Sequence, residues 1–246
     1  MLTEGLWADG NIEVIHLRAP GQNGRDEMYW RCVEQDIAER LHGRLEVRTS
    51  TWGDALSLAV VAVADIPSLM RVGRQLGDRS NRHLFSRDRM HGLMWPDLNA
   101  PPPKFTFTPP AAGDGPIALV VDLSATLPEH AVCDVLPDAR VARFTTLNPD
   151  YSLIRNRGTI DAFRSALQPA LGRLAANTRT SIHLFAVLPA ALAVEFGALL
   201  STHYTHHFIV YDRNDAGHFE PMMELGPRSA TYSTTGRTPC LPFMNN

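Results

Sequence analysis

The chain has 246 residues, a formal net charge of −3, 44% hydrophobic residues and 20% charged ones. These values suit a soluble globular protein of one large domain or two small ones, and they argue against a global field that would attract DNA. Three widely separated cysteines, Cys32, Cys133 and Cys240, speak against a disulfide framework or a zinc ribbon and fit a reducing cytoplasm. Met1-Leu2-Thr3-Glu4 shows no basic stretch followed by an apolar run, so no signal peptide is expected, and the apolar runs near 56–64 and 189–194 are too short to span a bilayer. Lys104 is the only lysine, so arginine carries nearly all the positive charge. That bias suits bidentate phosphate recognition, but genome composition produces it too.

Residues 1–10 read as an irregular lead-in. A strand is predicted over 12–17, ending at Arg18-Ala19-Pro20-Gly21, followed by a loop at 21–24. Met28, Cys32, Ile37 and Leu41 have helical spacing over 26–41, and 45–47 reads as a short strand. The run 56–64, rich in valine and alanine, predicts a strand buried on both faces. A short helix over 68–76 stops at Gly77. Proline- and glycine-rich stretches at 101–103 and 109–115 bracket Lys104-Phe105-Thr106-Phe107-Thr108, which predicts a linker holding one edge strand.

The order then restarts. A near-continuous apolar strand is predicted over 117–123 and another strand over 141–144. Ile160, Phe163, Leu167, Leu171 and Leu174 lie on one face of a helix over 159–174. A buried strand over 180–187, a helix over 190–200 and a strand over 208–211 follow. Residues 219–225 read as a closing edge strand or hairpin arm, and the polar tail after Gly226 as irregular.

One pattern recurs 124 residues later. Ala59-Val60-Val61-Ala62-Val63 leads through Asp65-Ile66-Pro67 to Gly73, Leu76, Asp88 and Arg89. His183-Leu184-Phe185-Ala186-Val187 leads through Leu188-Pro189 to Gly197, Leu200, Asp212 and Arg213. The expected fold is therefore α/β, with two fused Rossmann-like halves related by pseudo-symmetry and mostly parallel sheets. The halves are 1–100 and 117–246, with 101–116 as linker, and together they form one domain. Ligands of such sheets bind beyond the carboxyl ends of the strands. That places attention on Arg18–Gly21, Ala64–Pro67, Leu123–Thr126 and Leu188–Ala190.

The second half also carries a constellation over about 117–225. It comprises Asn148-Pro149-Asp150-Tyr151, Ile182-His183-Leu184-Phe185, Leu188-Pro189, Leu192-Ala193, Phe196-Gly197 and Val210-Tyr211-Asp212, closed by Pro221 and Leu225. It resembles the SAVED domain, a cyclic-nucleotide sensor of bacterial anti-phage CBASS and CRISPR systems, and the first half resembles that domain's degenerate partner. The resemblance implies two fused CARF-like units with a cyclic di- or oligonucleotide between them. It also implies ligand-driven head-to-tail homo-oligomerisation that activates an attached effector. Only some ten residues precede the first predicted strand. The expectation is thus a cytoplasmic sensor that signals to a separate effector protein, or a fragment of a longer fusion. The rival readings are a CARF-type ring nuclease and an unrelated Rossmann-like enzyme.

A cyclic nucleotide needs hydroxyls, amides or guanidinium groups at its phosphates and flat groups against its bases. Ser124 and Thr126 follow the strongest strand and suit phosphate, or simply cap the next segment. Arg18 is their first-half counterpart, or a solvated surface arginine. Tyr151, followed by Arg155 and Arg157, suits a base beside a phosphate, or anchors a loop. Leu188 and Pro189 precede a helix whose first N–H groups favour an anion. Trp52, Trp95, Phe219 and His218 are further candidates for stacking, with packing the stronger claim on each. His203, His206 and His207 lack the carboxylate of a metalloprotease motif, so no metal or other cofactor is expected. Asp88 and Asp212 suit local pairing with the next arginine better than general-base work. No P-loop, GxGxxG or GxSxG motif is present, and no catalytic residue is assigned.

Overall fold

The structure is a computed structural model and describes residues 27–43, 58–77, 82–85, 87–88, 92–93, 97–176, 180–202, 206–214, 216–226 and 230–232. The expectations for 12–17 and 45–47, and the candidates Arg18, Trp52 and Trp95, lie outside these residues.

Helix α1 spans Glu27–Asp36 and widens into π turns over Ile37–His42. Strand β1 (Leu58–Val61), helix α2 (Ile66–Leu76) and strand β2 (Arg82–Phe85) follow, with β1 and β2 parallel. A short antiparallel pair, β3 (Arg87–Asp88) and β4 (Gly92–Leu93), precedes β5 (Phe105–Thr108). Then come β6 (Ile117–Asp122), α3 (His130–Cys133), β7 (Arg140–Thr146), α4 (Arg157–Ala176), β8 (Ile182–Val187), α5 (Ala190–Thr202), β9 (Phe208–Arg213), β10 (Phe219–Leu225) and β11 (Ala230–Tyr232).

The large sheet has the order β11-β10-β9-β8-β6-β7-β5. Its centre, β9-β8-β6-β7, is parallel, while β10, β11 and β5 add antiparallel edges. All six residues of β6 are buried, as its unbroken apolar run requires at the middle of a two-faced sheet. One face meets α4, α5 and the first half through Phe163, Leu167, Leu192 and Phe196. The other carries a smaller cluster of Val120, Leu127, Val132, Phe185, Tyr211 and Phe219. There the His183 ring sits 2.9 Å from the Tyr211 hydroxyl. Burial pushes that hydroxyl up to about 12 and His183 down, so both stay neutral at pH 7.

Two expectations need correction. β1 alternates between half-buried and exposed positions instead of being buried on both faces; Leu58 and Val60 meet the core while Val61 is 42% exposed. The reason is that only one of its faces packs inward. The polar tail after Gly226 is not irregular throughout, because β11 within it pairs with β10, which is itself the expected hairpin arm, antiparallel to β9. The strand expected within the linker, β5, is an edge strand of the large sheet. Phe105 stacks on Phe144 at 5.6 Å and meets Phe163 edge-on at 5.8 Å, which anchors it to the core.

Local chemistry sets the helix ends. Asp65 caps α2 by accepting from the Ser68 N–H at 2.9 Å, with Pro67 in the first turn. At the other end Gly77, at φ 68°, closes α2 onto the Gly73 carbonyl. The Tyr29 hydroxyl donates to the same Asp65 carboxylate, and Arg71 pairs with Glu34, so α1 is fastened to α2.

Helices α2 and α5 touch backbone to backbone. A Cβ on Gly73 would stand 1.8 Å from the Val194 carbonyl oxygen, and one on Gly197 would stand 1.9 Å from that of Met70. Both members of this reciprocal contact are related by the same 124-residue offset, as are the starts of β1 and β8 and of α2 and α5. The offset becomes 126 at the next strand, because Phe85 pairs with Val61 while Tyr211 pairs with Phe185. Beside the glycines, Glu195, which is wholly buried, receives a forked Arg82 at 2.9–3.2 Å and Arg164 at 2.6 Å. Arg82 also donates to the Gly77 carbonyl. This triad ties β2, α4 and α5 together.

The glycine contact makes a prediction. Gly197→Ala should cost about 3 kcal/mol, the upper range of overpacking, because backbone cannot yield as a side chain does. Gly172→Ala on exposed α4, where a Cβ meets nothing within 4 Å, should be neutral or stabilise by roughly 0.5–1 kcal/mol. Urea midpoints of the two variants compare them; equal effects would contradict the contact.

Candidate functional site

Chain order in the sheet reverses at β6: β7 lies on one side and β8 on the other. In open sheets of this kind, such a reversal is where a ligand crevice forms beyond the carboxyl ends of the strands. Backbone bonds draw three segments to this point. The N–H groups of Leu123 and Ser124 both donate to the Val187 carbonyl, at 2.8 and 2.9 Å, and Asp150 N–H donates to the Leu123 carbonyl at 2.8 Å. The structure therefore joins the starts of three segments: the one after β6 that bears Ser124 and Thr126, the one after β7 that bears Tyr151 and Arg155, and the one after β8 that begins with Leu188 and Pro189.

Their exposure differs. Ser124 is half-buried and Thr126 exposed, so both hydroxyls can meet a ligand. Tyr151 is 76% exposed and Leu147, at the start of the same loop, is 88% exposed. The loop is nonetheless held from within: Asp150 accepts from the Ser152 amide at 2.6 Å and hydroxyl at 2.7 Å. These bonds, the hydroxyl's first, hold the Asp150 carboxyl below its ordinary range, with a smaller contribution from the charge of Arg155. Arg155 is exposed, and Arg157 makes a 3.7 Å surface pair with Asp161, which contributes little. Leu188 and Pro189 are buried. They offer backbone rather than side chain, and the Pro189 carbonyl accepts from Leu192 and Ala193 to start α5.

Two features of the site went unnoticed in the sequence. Asp122, 1% exposed at the end of β6, accepts from the Leu127 amide at 3.0 Å and from Arg143. Burial raises its pKa, against the opposing pull of the Leu127 amide and Arg143. A carboxylate ending the apolar run 117–121 was the available signal. Asn156 caps α4 through the Thr159 amide, and its amide group donates to the carbonyls of Asp97, Leu98 and Ala100. It locks residues 97–100, just before the linker, against the loop that bears Tyr151 and Arg155.

Phe219 falls elsewhere. It is 8% exposed in the smaller cluster, edge-on to Phe185 at 5.5 Å, with the Arg213 guanidinium 5.4 Å above its ring. His218 is exposed. His207 pairs with Glu224 at 2.7 Å, Asp212 accepts from the Arg213 amide, and no group of three metal-binding side chains exists among the described residues. No helix among them is long and apolar enough to cross a membrane.

A family model described as "SMODS-associated and fused to various effectors sensor domain" (SAVED) matches residues 33–225, taking in most of the first half as well as the second. No curated protein matches the sequence. Among solved structures, the Acinetobacter baumannii Cap4 SAVED/CARF-domain containing receptor with the cyclic trinucleotide 2′3′3′-cAAA superposes with a TM-score of 0.59 at 14% identity, over 81% of this chain and 44% of that one. The same receptor with 3′3′3′-cAAA gives 0.60 at 14% identity, with the same coverage of both chains. The Moraxella osloensis Cap4 receptor gives 0.55 at 14% identity, over 82% and 43%. The chain thus spans less than half the length of these receptors, and the likeness establishes the fold.

Asn156 provides the site's stability test. Asn156→Ala removes the cap and three donor contacts and should cost about 2 kcal/mol. Asn156→Asp keeps a capping oxygen but faces three carbonyls without donors, so it should recover little of that loss. Urea unfolding of both reports the difference; full recovery by aspartate would show that the bonds to residues 97–100 contribute nothing.

Proposed function

Because the chain belongs to the SAVED family, we propose that it is a non-enzymatic, cytoplasmic sensor that binds a cyclic di- or oligonucleotide second messenger in antiviral defence. The observation that carries this reading is the set of backbone bonds that joins the segments following β6, β7 and β8 at the switch point, since those segments bear hydroxyls, an exposed ring and a guanidinium. Ser124, Thr126 and the backbone at Leu188-Pro189 would receive phosphates, as would Arg155. Tyr151 would stack on a base. The carboxylates beside them are engaged, Asp150 with Ser152 and Asp122 with Leu127 and Arg143, which favours holding a ring over activating a nucleophile. The ligand would lie between halves 1–100 and 117–246, joined by 101–116. Binding would favour a conformation that stacks head-to-tail and signals to an effector; this requires tighter binding to that conformation.

The test is thermal unfolding against cyclic di-, tri- and tetranucleotides, with the trinucleotides seen in the Acinetobacter baumannii receptor included. A ring at one hundred times its Kd should stabilise the protein by about 2.7 kcal/mol. Tyr151→Ala should weaken binding by roughly 1–3 kcal/mol, the range of base–aromatic stacking. The ring should be recovered intact after long incubation. A linear product would favour a ring nuclease, and an unmoved melting temperature with every ring would overturn the sensor reading.

A further inference from the structure

The segment between β6 and α3 is held by an arrangement that its own sequence does not require. Asp122 Oδ1 takes the Leu127 amide five residues on, at 3.0 Å. Its Oδ2 takes the Arg143 guanidinium, which reaches over from neighbouring β7, where Arg143 pairs with Val120 in the parallel register. The same guanidinium nitrogen donates to the Leu127 carbonyl at 3.3 Å. One arginine therefore holds both ends of the loop: the carboxylate where it leaves the strand and the carbonyl where it returns. Thr145, the register partner of Asp122, fixes the Asp122 carbonyl at 3.0 Å. On the opposite side Leu123 and Ser124 are tied to Val187. What projects between these fixed points is Ser124-Ala125-Thr126.

We propose that Asp122 and Arg143 are positioning residues for ligand, a clamp that holds the Ser124–Thr126 loop in the shape that presents its hydroxyls to a phosphate. The proposal rests on the sensor reading above. The arrangement has a physical logic. A flexible loop would lose conformational freedom on closing around a phosphate, and the clamp removes that freedom beforehand. Asp122 is 1% exposed, so its charge needs the compensation that Arg143 supplies. The compensated pair also puts no net charge beneath the loop, so it does not repel an anion there. Lysine could supply the charge of Arg143, but its ammonium stands about one bond short of the terminal guanidinium nitrogen that meets carboxylate and carbonyl together.

The experiment is a double-mutant cycle in the full chain between Arg143→Lys and Thr126→Ala. Its readout is the Kd of whichever ring among cyclic di-, tri- and tetra-adenylate binds the wild type tightest. Arg143→Lys preserves charge and stem, so the variant should fold. Asp122→Asn serves as a second loosening variant. Thr126→Ala should weaken binding about fivefold in the wild type but less than twofold beside Arg143→Lys, because a loosened loop no longer places that hydroxyl. Full multiplication of the two effects, with both variants folded, would overturn the clamp while leaving the sensor reading intact. Amide exchange at Leu127 reads the clamp without ligand and should quicken about tenfold in Arg143→Lys. Unchanged exchange there would also overturn it. If the wild type binds none of the rings, the sensor reading fails and the positioning role falls with it.

Discussion

The close approach of α2 and α5 is the constraint on which the rest of the molecule depends. Two carbonyls, of Met70 and Val194, sit where the Cβ atoms of Gly197 and Gly73 would otherwise be. Each glycine costs a helix roughly 1 kcal/mol relative to alanine. The return is backbone contact between elements from opposite halves of the chain. Beside it, Glu195 is fully buried and would be untenable alone, but Arg82 and Arg164 satisfy it. Removing both arginines would leave a buried, uncompensated carboxylate, whereas removing one leaves an arginine–glutamate pair.

That contact reaches the candidate site through α5. The helix begins directly after Leu188-Pro189, and the strand before it ends on the carbonyl that holds Leu123 and Ser124. The position of α5 therefore sets one wall of the crevice, and the position of α4, held by Asn156 and by Arg164, sets another. A ligand that moved either helix would strain the glycine contact or the triad. Both features join residues that lie more than 100 positions apart in the chain, Gly73 with Val194 and Arg82 with Glu195.

Much of the architecture was legible because it is periodic or punctuated. The core face of α4 followed from Ile160, Phe163, Leu167, Leu171 and Leu174, and β6 from its unbroken apolar run. The 124-residue spacing of Gly73 and Gly197 was visible in the sequence, and the two glycines meet in one helix contact. Burial on both faces of β1 was misjudged because an apolar run does not reveal how many neighbours a strand has. The β11 pairing was missed because a short polar strand has no signal apart from its partner. In the site, Ser124, Thr126, Leu188 and Pro189 followed from a topological rule, and the structure draws their segments together. Asp122 carried a signal, but the roles of Asp122, Arg143 and Asn156 were not legible, because they depend on cross-strand register and on carbonyls 56–59 residues away in sequence. Phe219 resembled a stacking residue only until the sheet's second face was known to need its ring.

The most direct test of the account is a map of backbone amide shifts as a cyclic oligonucleotide is titrated into the protein. The account predicts that the largest changes cluster at Ser124–Thr126, Tyr151–Arg155 and Leu188–Ala190, with smaller ones along α2 and α5. Changes confined to the opposite face, around His183, Tyr211 and Phe219, would contradict it.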